Sequence, residues 1–566
     1  MLFTNIEKVK IPIVYIALSL LMSSIFYGIL DGYRGLALFL ATLFFVFILF
    51  VTGKEFTIMI FIIFVLGVTV NSSFYKANIN EEFLGTIRIV EEKSYYNIGS
   101  YKGKRVIVNN KDSGKLGDRI NVKGKFLKDI NKELGTIGTL EIEKSKILDE
   151  DILRRVYSIR NNIYSKLKEN LGQRKAALVT SLSFGYDEYL DQQDEEEMRN
   201  LGIIHAISVS GLHVSLIYFI LKRLLGNKLA IALTCIYVVL TGIPFSSIRA
   251  LIMIICSSSA LSFRKRYNSL GGLALSAIII VLIKPYSVFQ LGFILSFSAT
   301  LGIILFSNKL GRELYKIPKY ISDTISISIS AQVFTLPVMI VAFKEFSLSF
   351  IIGNIIVVPI LNLIIILGNM SLLFCFIQNI FDYLSFILIK VVDVLDLIVE
   401  NLYVFTNPTF VVHKSMAMVY TCMLIGLYLV YKGHKKMIIL PIASIICVVI
   451  SIYSPFLRVD YLREGGVLLS YRGNRTIVTN KRNIDIGKLK KENLARNSIL
   501  EGENIRIDNN MKLKRHNKNF VLYLEDKKYL LRINNRSKIE ENYDIINFID
   551  DNITGFIILN NDIFLY

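Results

Sequence analysis

The sequence predicts a polytopic α-helical membrane protein of about 13 transmembrane helices. It adds a small extracytoplasmic β-barrel of OB type and a short, mostly β C-terminal module. Three observations carry this reading. Of 566 residues, 53% are hydrophobic and only 20% are charged, whereas a soluble chain is about a quarter charged. The apolar residues gather in runs of about 18–20, which at 1.5 Å per residue span a hydrocarbon core of about 30 Å. Two stretches lack such runs and alternate apolar with polar residues at strand spacing.

The elements follow in order. Residues 1–75 hold three apolar runs, near 11–30, 35–52 and 56–74. The first is followed at once by more spans, so it is an anchor and not a cleaved leader. Residues 76–150 alternate over Thr86–Val90, Arg105–Val108, Arg119–Gly124 and Thr139–Ile142. Turn signals at Asn97, Gly99, Asn109-Asn110, Gly117-Asp118 and Gly135 separate these strands, a pattern that fits a small barrel. Residues 151–203 form a helical linker. In it Val156, Ile159, Ile163, Leu167 and Leu171 make one apolar face between basic residues, as expected of a helix resting on a membrane surface or on the barrel.

Residues 204–454 contain ten further runs, starting near 205, 229, 249, 269, 289, 322, 348, 380, 415 and 437. With a cytoplasmic N-terminus, the basic loops Lys222–Lys228, Arg264–Arg266, Lys309–Lys319 and Lys432–Lys436 all fall in the cytoplasm, as the positive-inside rule requires. The barrel and residues 455–566 then lie outside. Much of the net charge of +19 is accounted for by such loops and does not by itself indicate nucleic acid. The tail 455–566 has strand-like pieces at Gly466–Tyr471, Asn519–Leu524 and Lys528–Ile533.

Several chemistries are excluded. The five cysteines sit in apolar segments with no CxxC spacing, so neither a disulfide framework nor a cysteine zinc site is expected. No phosphate-binding loop is present, and energy for transport must come from elsewhere. No metal and no cofactor are expected. The acidic run Asp194–Glu197 reads as a solvated helix face, and Asp382, Asp393 and Asp396 read as partners of Lys390.

The segment His205-Ala-Ile-Ser208-Val-Ser210-Gly211-Leu-His213 is the richest in chemistry. Ser210 and His213 are neighbours on a helix and could act as nucleophile and base. Against that, the G-x-S-x-G elbow is absent and no acid partner is identifiable. The alternative is that Ser and Gly permit close helix packing while the histidines line a polar path. Arg249 follows Pro244. A guanidinium at membrane depth must be paired, snorkel, or face water, where it suits phosphate. Gln290, Gln332 and Asn354 interrupt apolar runs, and Pro244, Pro337 and Pro359 are expected to break helices.

These residues bring out a likeness. The chain resembles the ComEC-type competence proteins, the family of DNA-internalisation channels. Four stretches carry it, in family order: Gly202–Val214; Ser247-Ile-Arg-Ala-Leu-Ile-Met253; Lys284-Pro-Tyr-Ser-Val-Phe-Gln-Leu-Gly292 on to Ser296; and Ala331-Gln332-Val-Phe-Thr-Leu-Pro337 with Asn354 to Pro359. The resemblance implies an external OB-type domain, with Tyr95, Tyr96, Tyr101, Lys104 and Arg105 as candidate DNA contacts. It also implies a channel for single-stranded DNA in the cytoplasmic membrane. There the candidate lining groups are His205, Ser210, Gly211, His213, Arg249, Gln290, Gln332 and Asn354.

Many members end in a metallo-β-lactamase-like domain. This tail lacks its Asp-Val-Gly-Gln-Gly-Asp and His-x-His-x-Asp-His stretches and reads as a degenerate remnant without nuclease activity. A DNA receptor, a helicase or ATPase, a separate nuclease and a second copy of the chain are the implied partners. A transporter of another polyanion, or an intramembrane serine hydrolase, are the alternatives.

Overall fold

The computed structural model describes residues 10–76, 79–93, 95–109, 114–148, 151–207, 209–405, 409–463, 465–481, 484–500, 504–508, 511–524, 527–534, 543–549, 553–559 and 562–566. The chain divides into two compact units. The first is Met1–Thr335 with Ser347–Pro408; the second is Leu336–Phe346 with Thr409–Tyr566.

The first unit opens with α1 (Pro12–Leu30), α2 (Arg34–Thr52) and α3 (Lys54–Tyr75). Pro12 starts α1, where its missing N–H is no loss. Small residues let α1 and α3 cross closely: a Cβ on Gly67 would lie 2.0 Å from Ser23 Oγ. Asn71 donates to Ser24 Oγ at 3.0 Å across the same contact.

The barrel follows as β1 (Glu82–Glu92), β2 (Asn97–Tyr101), β3 (Lys104–Val108), β4 (Arg119–Leu127) and β5 (Thr136–Ile147), closed in the order β1-β2-β3-β5-β4. Strand β4 alternates strictly, with Ile120, Val122 and Phe126 inside. The expected turn residues Asn97 and Gly99 instead belong to β2. Gly99 faces the crowded interior, where a Cβ would meet Ile87 and Val108 at 3.2–3.3 Å. A glycine admitted for space thus imitates a glycine admitted for a turn.

Lysines fasten the barrel to helix ends. Lys132 donates to Tyr27 O at 2.8 Å and pairs with Asp31 at 2.6 Å; Lys104 donates to Ser73 O and Lys76 O at 3.0 and 2.6 Å. Each satisfies orphan carbonyls and the negative dipole end of α1 or α3.

Next come α4 (Ile152–Leu171), α5 (Gln173–Phe184) and α6 (Gln192–Asn200). The N-cap of α4, Asp151, accepts from Arg154 N and pairs with Arg88 of β1, and Arg154 pairs with Asp118 at 2.9 Å. These contacts seat α4 on the barrel. Helix α5 is buried from Ala176 through Phe184, so the linker supplies core and is not surface alone.

Helices α7 (Gly211–Leu225), α8 (Asn227–Leu240), α9 (Phe245–Ser262), α10 (Ser269–Ile283), α11 (Leu291–Glu313), α12 (Lys319–Phe343), α13 (Phe350–Leu373) and α14 (Gln378–Phe405) follow, all in this unit except the last turns of α12 from Leu336.

Three expectations are corrected. The acidic run is a solvated face only from Glu195 to Glu197: Asp194 is 2% exposed and takes Arg174 in a forked pair, with Nη2 at 2.6 Å and Nε at 3.0 Å. Arg174 also reaches Asp396 of α14 at 3.1 Å, while Lys175 pairs with Asp393, so the direct partners of these two acids are not Lys390, which acts on Asp393 only as a weaker neighbouring charge. The real partners lie about 20 and 220 residues away in sequence, beyond any helix-spacing rule. Finally, Pro337 and Pro359 lie inside α12 and α13 and end neither helix; only Pro244, ahead of α9, marks a break. In α13 the carbonyl that Pro359 leaves without its N–H belongs to Ile355, and Tyr320 Oη donates to it at 3.4 Å.

Among the described residues, eight helices are long and apolar enough to cross a membrane, and three shorter apolar ones accompany them. The runs expected near 205 and 380 are outside both groups. Helix α7 has 15 residues and ends in Lys222 and Arg223, and α14 carries Asp382, Lys390, Asp393, Asp396 and Glu400.

The second unit holds α15 (Ser415–Tyr431), α16 (Ile439–Ile452) and a short ribbon of β6 (Glu345–Phe346) with β7 (Phe410–Val411). The tail is a two-sheet sandwich. One sheet contains β8 (Arg458–Leu462), β9 (Gly466–Tyr471), β10 (Asn474–Thr479), β11 (Asn497–Leu500), β17 (Gly555–Leu559) and β18 (Asp562–Leu565), in the order β11-β10-β9-β8-β17-β18. The other runs in order through β12 (Asn504–Asp508), β13 (Met511–His516), β14 (Asn519–Leu524), β15 (Lys527–Arg532) and β16 (Asp544–Asn547). Val459, Leu469, Leu513, Phe520, Leu522 and Phe556 form one core between them. Helix α17 (Ile486–Glu492) covers the outer face of the first sheet.

Candidate functional site

The N-terminus of α7 is built by its own sequence. Ser210 caps it, accepting from Leu212 N at 3.2 Å, and His213 Nδ1 accepts from Ser210 N at 3.0 Å. His213 thus occupies the place a glutamate takes in a capping box. Ser210 Oγ lies 2.8 Å from the same Nδ1. Because Nδ1 takes a backbone N–H, the ring proton belongs on Nε2, which is buried with no partner among the described residues. The pair predicted from the sequence does meet, and its geometry is that of a helix cap.

Gly211 has a specific reason to be glycine. A Cβ there would stand 2.6 Å from Arg249 Nη2. Arg249, on α9, donates through Nε to Ser296 Oγ of α11 at 2.9 Å, and its Nη1 lies 3.6 Å from Met253 Sδ. No carboxylate pairs with it among the described residues. Ser246 Oγ, in the first turn of α9, donates to Val209 O at 2.8 Å and ties α9 to the lead-in of α7.

Gly211, Arg249 and Ser296 each lie within six residues of the N-terminus of their helix. The guanidinium thus lies against the first residue of α7 with no carboxylate partner among the described residues, which leaves its charge available to an anion. Ser296 was quoted in the sequence for its motif, yet nothing in its spacing marks it as the group that aims Arg249.

The other predicted residues are dispersed. His205 sits in a 3₁₀ turn, Ile204–Ala206, and is exposed; Ser208 lies outside the described residues. Gln290 precedes α11 and donates to Glu133 O of the barrel, so it joins the barrel to the helices. Gln332 accepts from Thr335 Oγ1 at 3.1 Å within α12. Asn354 is half-buried on α13, beside Gly353, whose missing Cβ admits Leu201 O.

In the barrel, Tyr95 is 89% exposed, Tyr96 is half-buried, and Tyr101 meets Phe83 edge-on at 5.0 Å. Lys104 and Arg105 are engaged within the chain. Arg105 pairs with Glu91 at 2.9 Å and lies 4.8 Å over the Tyr286 ring.

A basic stripe on the barrel escaped the sequence reading. Lys123 and Lys128 on and just after β4, with Lys144 and Lys146 on β5, are exposed and not ion-paired among the described residues, whereas Lys125 stands between Glu82 and Glu141 and Arg119 acts on Asp151. Lys123 stands directly opposite Lys144. Like charges so opposed are unfavourable unless an anion lies over them. Their separation in sequence hid the stripe; only the β4–β5 register assembles it.

Comparisons with known proteins each match part of the chain. Residues 182–436 match the Competence protein family. ComE operon protein 3 of Bacillus subtilis (strain 168) is 28% identical over 233 residues, covering 39% of this chain and 29% of that protein. An uncharacterised protein of Aquifex aeolicus is 31% identical over 183 residues, or 30% of this chain and 44% of its own length. An uncharacterised protein of Mycoplasma genitalium is 34% identical over 116 residues, or 19% and 30%. The chain thus spans less than half the length of the curated relatives it matches. No solved structure matches it.

Proposed function

From the premise that this chain is a ComEC-type competence protein, we propose that it is a channel in the cytoplasmic membrane through which one strand of DNA enters the cell during natural transformation. The observation that carries the proposal is Arg249, which meets the N-terminus of α7 and the Ser296 hydroxyl but no carboxylate among the described residues. A phosphodiester strand carries one charge per nucleotide and needs a wet, cationic path through lipid. Arg249 offers a forked donor to each passing phosphate.

The barrel, read as an OB domain by its five-stranded closure, gathers the strand on its basic stripe and stacks bases on Tyr95. Its attachment to α1, α3 and the α10–α11 junction supports the orientation. With the N-terminus in the cytoplasm, and with α7 and α14 taken as crossings beside the eleven apolar helices, all three junctions face outside. The tail is then also outside, a remnant of a lactamase-like domain without nuclease activity. A separate nuclease removes the excluded strand, and a receptor and an ATPase act with the channel, which is large enough to call for a homodimer.

A path for another polyanion would use the same arginine. The hydrolase reading has less support, because Ser210 and His213 are engaged as a helix cap.

The test is import of labelled duplex DNA into a nuclease-resistant pool, with and without the gene, while the host's other competence genes are expressed. Loss of the pool with surface binding unchanged is expected. An unchanged pool on deletion would remove the import role.

A further inference from the structure

The outer face of the six-stranded sheet carries a polar row across three strands. Arg458 of β8 is directly opposite Ser470 of β9, and Ser470 is directly opposite Arg475 of β10. Such pairs hold their Cβ atoms about 5 Å apart on one face. The row adjoins the apolar patch of Leu462, Leu468 and Ile477 that α17 covers through Leu489.

The two arginines differ. Arg458 is neutralised: its Nε and Nη2 reach Asp460 at 2.9–3.1 Å, and Tyr566 Oη donates to the same carboxylate at 2.6 Å. Arg475 makes no direct ion pair among the described residues, and the charge that favours it is that of Asp460, which Arg458 already holds. It is 8% exposed and Ser470 is 3% exposed, and Arg475 Nε and Ser470 Oγ are buried without hydrogen-bond partners. An unpaired buried guanidinium is unfavourable, and an unmet hydroxyl beside it compounds the cost. Together they are a donor set for a tetrahedral oxyanion.

The surroundings fix the level of this site. Gly473, two residues before Arg475, packs on Tyr453, whose ring would lie 3.0 Å from a Cβ there. Tyr453 directly follows α16, the end of a stretch apolar and long enough to cross a membrane. His413 and exposed Lys414 immediately precede α15. Burial, and then the charge of Arg475, holds the His413 imidazole down to about 4. The site therefore lies beside the ends of the last two apolar helices, where a helix that crosses a bilayer meets the headgroup region.

We propose that Arg475 and Ser470 form a binding site for a phosphate group at the base of the C-terminal module. The membrane lipid headgroup is the nearest source.

The test uses the full chain in detergent. Thermal unfolding is followed with phosphatidylglycerol, with a phosphate-free glycolipid, and with inorganic phosphate. Phosphatidylglycerol should raise Tm and the glycolipid should not. A shift with inorganic phosphate as well would make free phosphate a sufficient ligand, and a shift with the lipid alone would assign the headgroup. In Arg475→Gln the shift should vanish, in Ser470→Ala it should shrink, and Arg475→Lys should keep part of it. Without additive, Arg475→Gln should unfold no lower than the parent, because it removes a buried charge that has no direct ion pair. No shift with either phosphate source, an equal shift in Arg475→Gln, or a lower Tm of that variant without additive would each overturn the proposal.

Discussion

Two arginines in the first unit cross between helices and end differently. Arg174 reaches from α5 to Asp194 of α6 and Asp396 of α14, so its charge is spent inside the fold. Arg249 reaches from α9 to the hydroxyl of Ser296 and the bare backbone of Gly211, and it meets no carboxylate among the described residues. The first kind of arginine holds helices together. The second keeps a charge available, and a charge held in an apolar region without a partner is expected to serve a ligand.

The largest effect that sharpens this contrast is on stability. Arg174→Gln leaves Asp194 buried without its partner and should cost about 1–2 kcal/mol, less than a fully buried pair because the Arg174 side chain is half exposed, read as a lower Tm in detergent. Arg249→Gln should leave Tm within a degree or two of the parent. Asp194→Asn should be milder than Arg174→Gln. Burial raises the Asp194 carboxyl even against the pull of Arg174, so its charge gains less from the pair. If Arg249→Gln destabilises as much as Arg174→Gln, the two arginines are alike and the contrast fails.

Gly211→Ala comes next. The added methyl would lie 2.6 Å from Arg249 Nη2, the far end of a flexible side chain, so the guanidinium should move and the helices should not. DNA import should fall several-fold with Tm nearly unchanged. Import at the parent rate would show that the position of Arg249 is immaterial.

The smallest effects belong to the barrel. Lys123→Gln and Lys144→Gln should each weaken DNA binding and lower the salt slope by about one. Lys132→Gln, which removes a tie to α1, should leave the salt slope alone. Equal slopes in all three variants would count against the stripe.

Much of this fold was legible in the sequence, for reasons that are local. Apolar length gave the helices, and period-two alternation gave β1, β3, β4 and β5. Strand β2 was hidden because Gly99 is there for interior space, while glycine in a polar stretch reads as a turn. Proline was read as a break at Pro359, where Tyr320 from another helix meets the freed carbonyl. The candidate site divided along the same line. Ser210, Gly211 and His213 could be grouped because they share a few residues of helix. The contact of Arg249 with Ser296 spans 47 positions, and the stripe on β4 and β5 depends on register; neither leaves a pattern in sequence.

The central claim is that Arg249 is left unpaired in order to contact phosphate. The most direct test measures the rate of DNA import in cells carrying Arg249→Gln or Arg249→Lys at equal membrane abundance, with surface-bound DNA measured alongside. The account predicts at least a tenfold loss with Gln, partial recovery with Lys, and unchanged surface binding in both. Import at the parent rate in Arg249→Gln would contradict it.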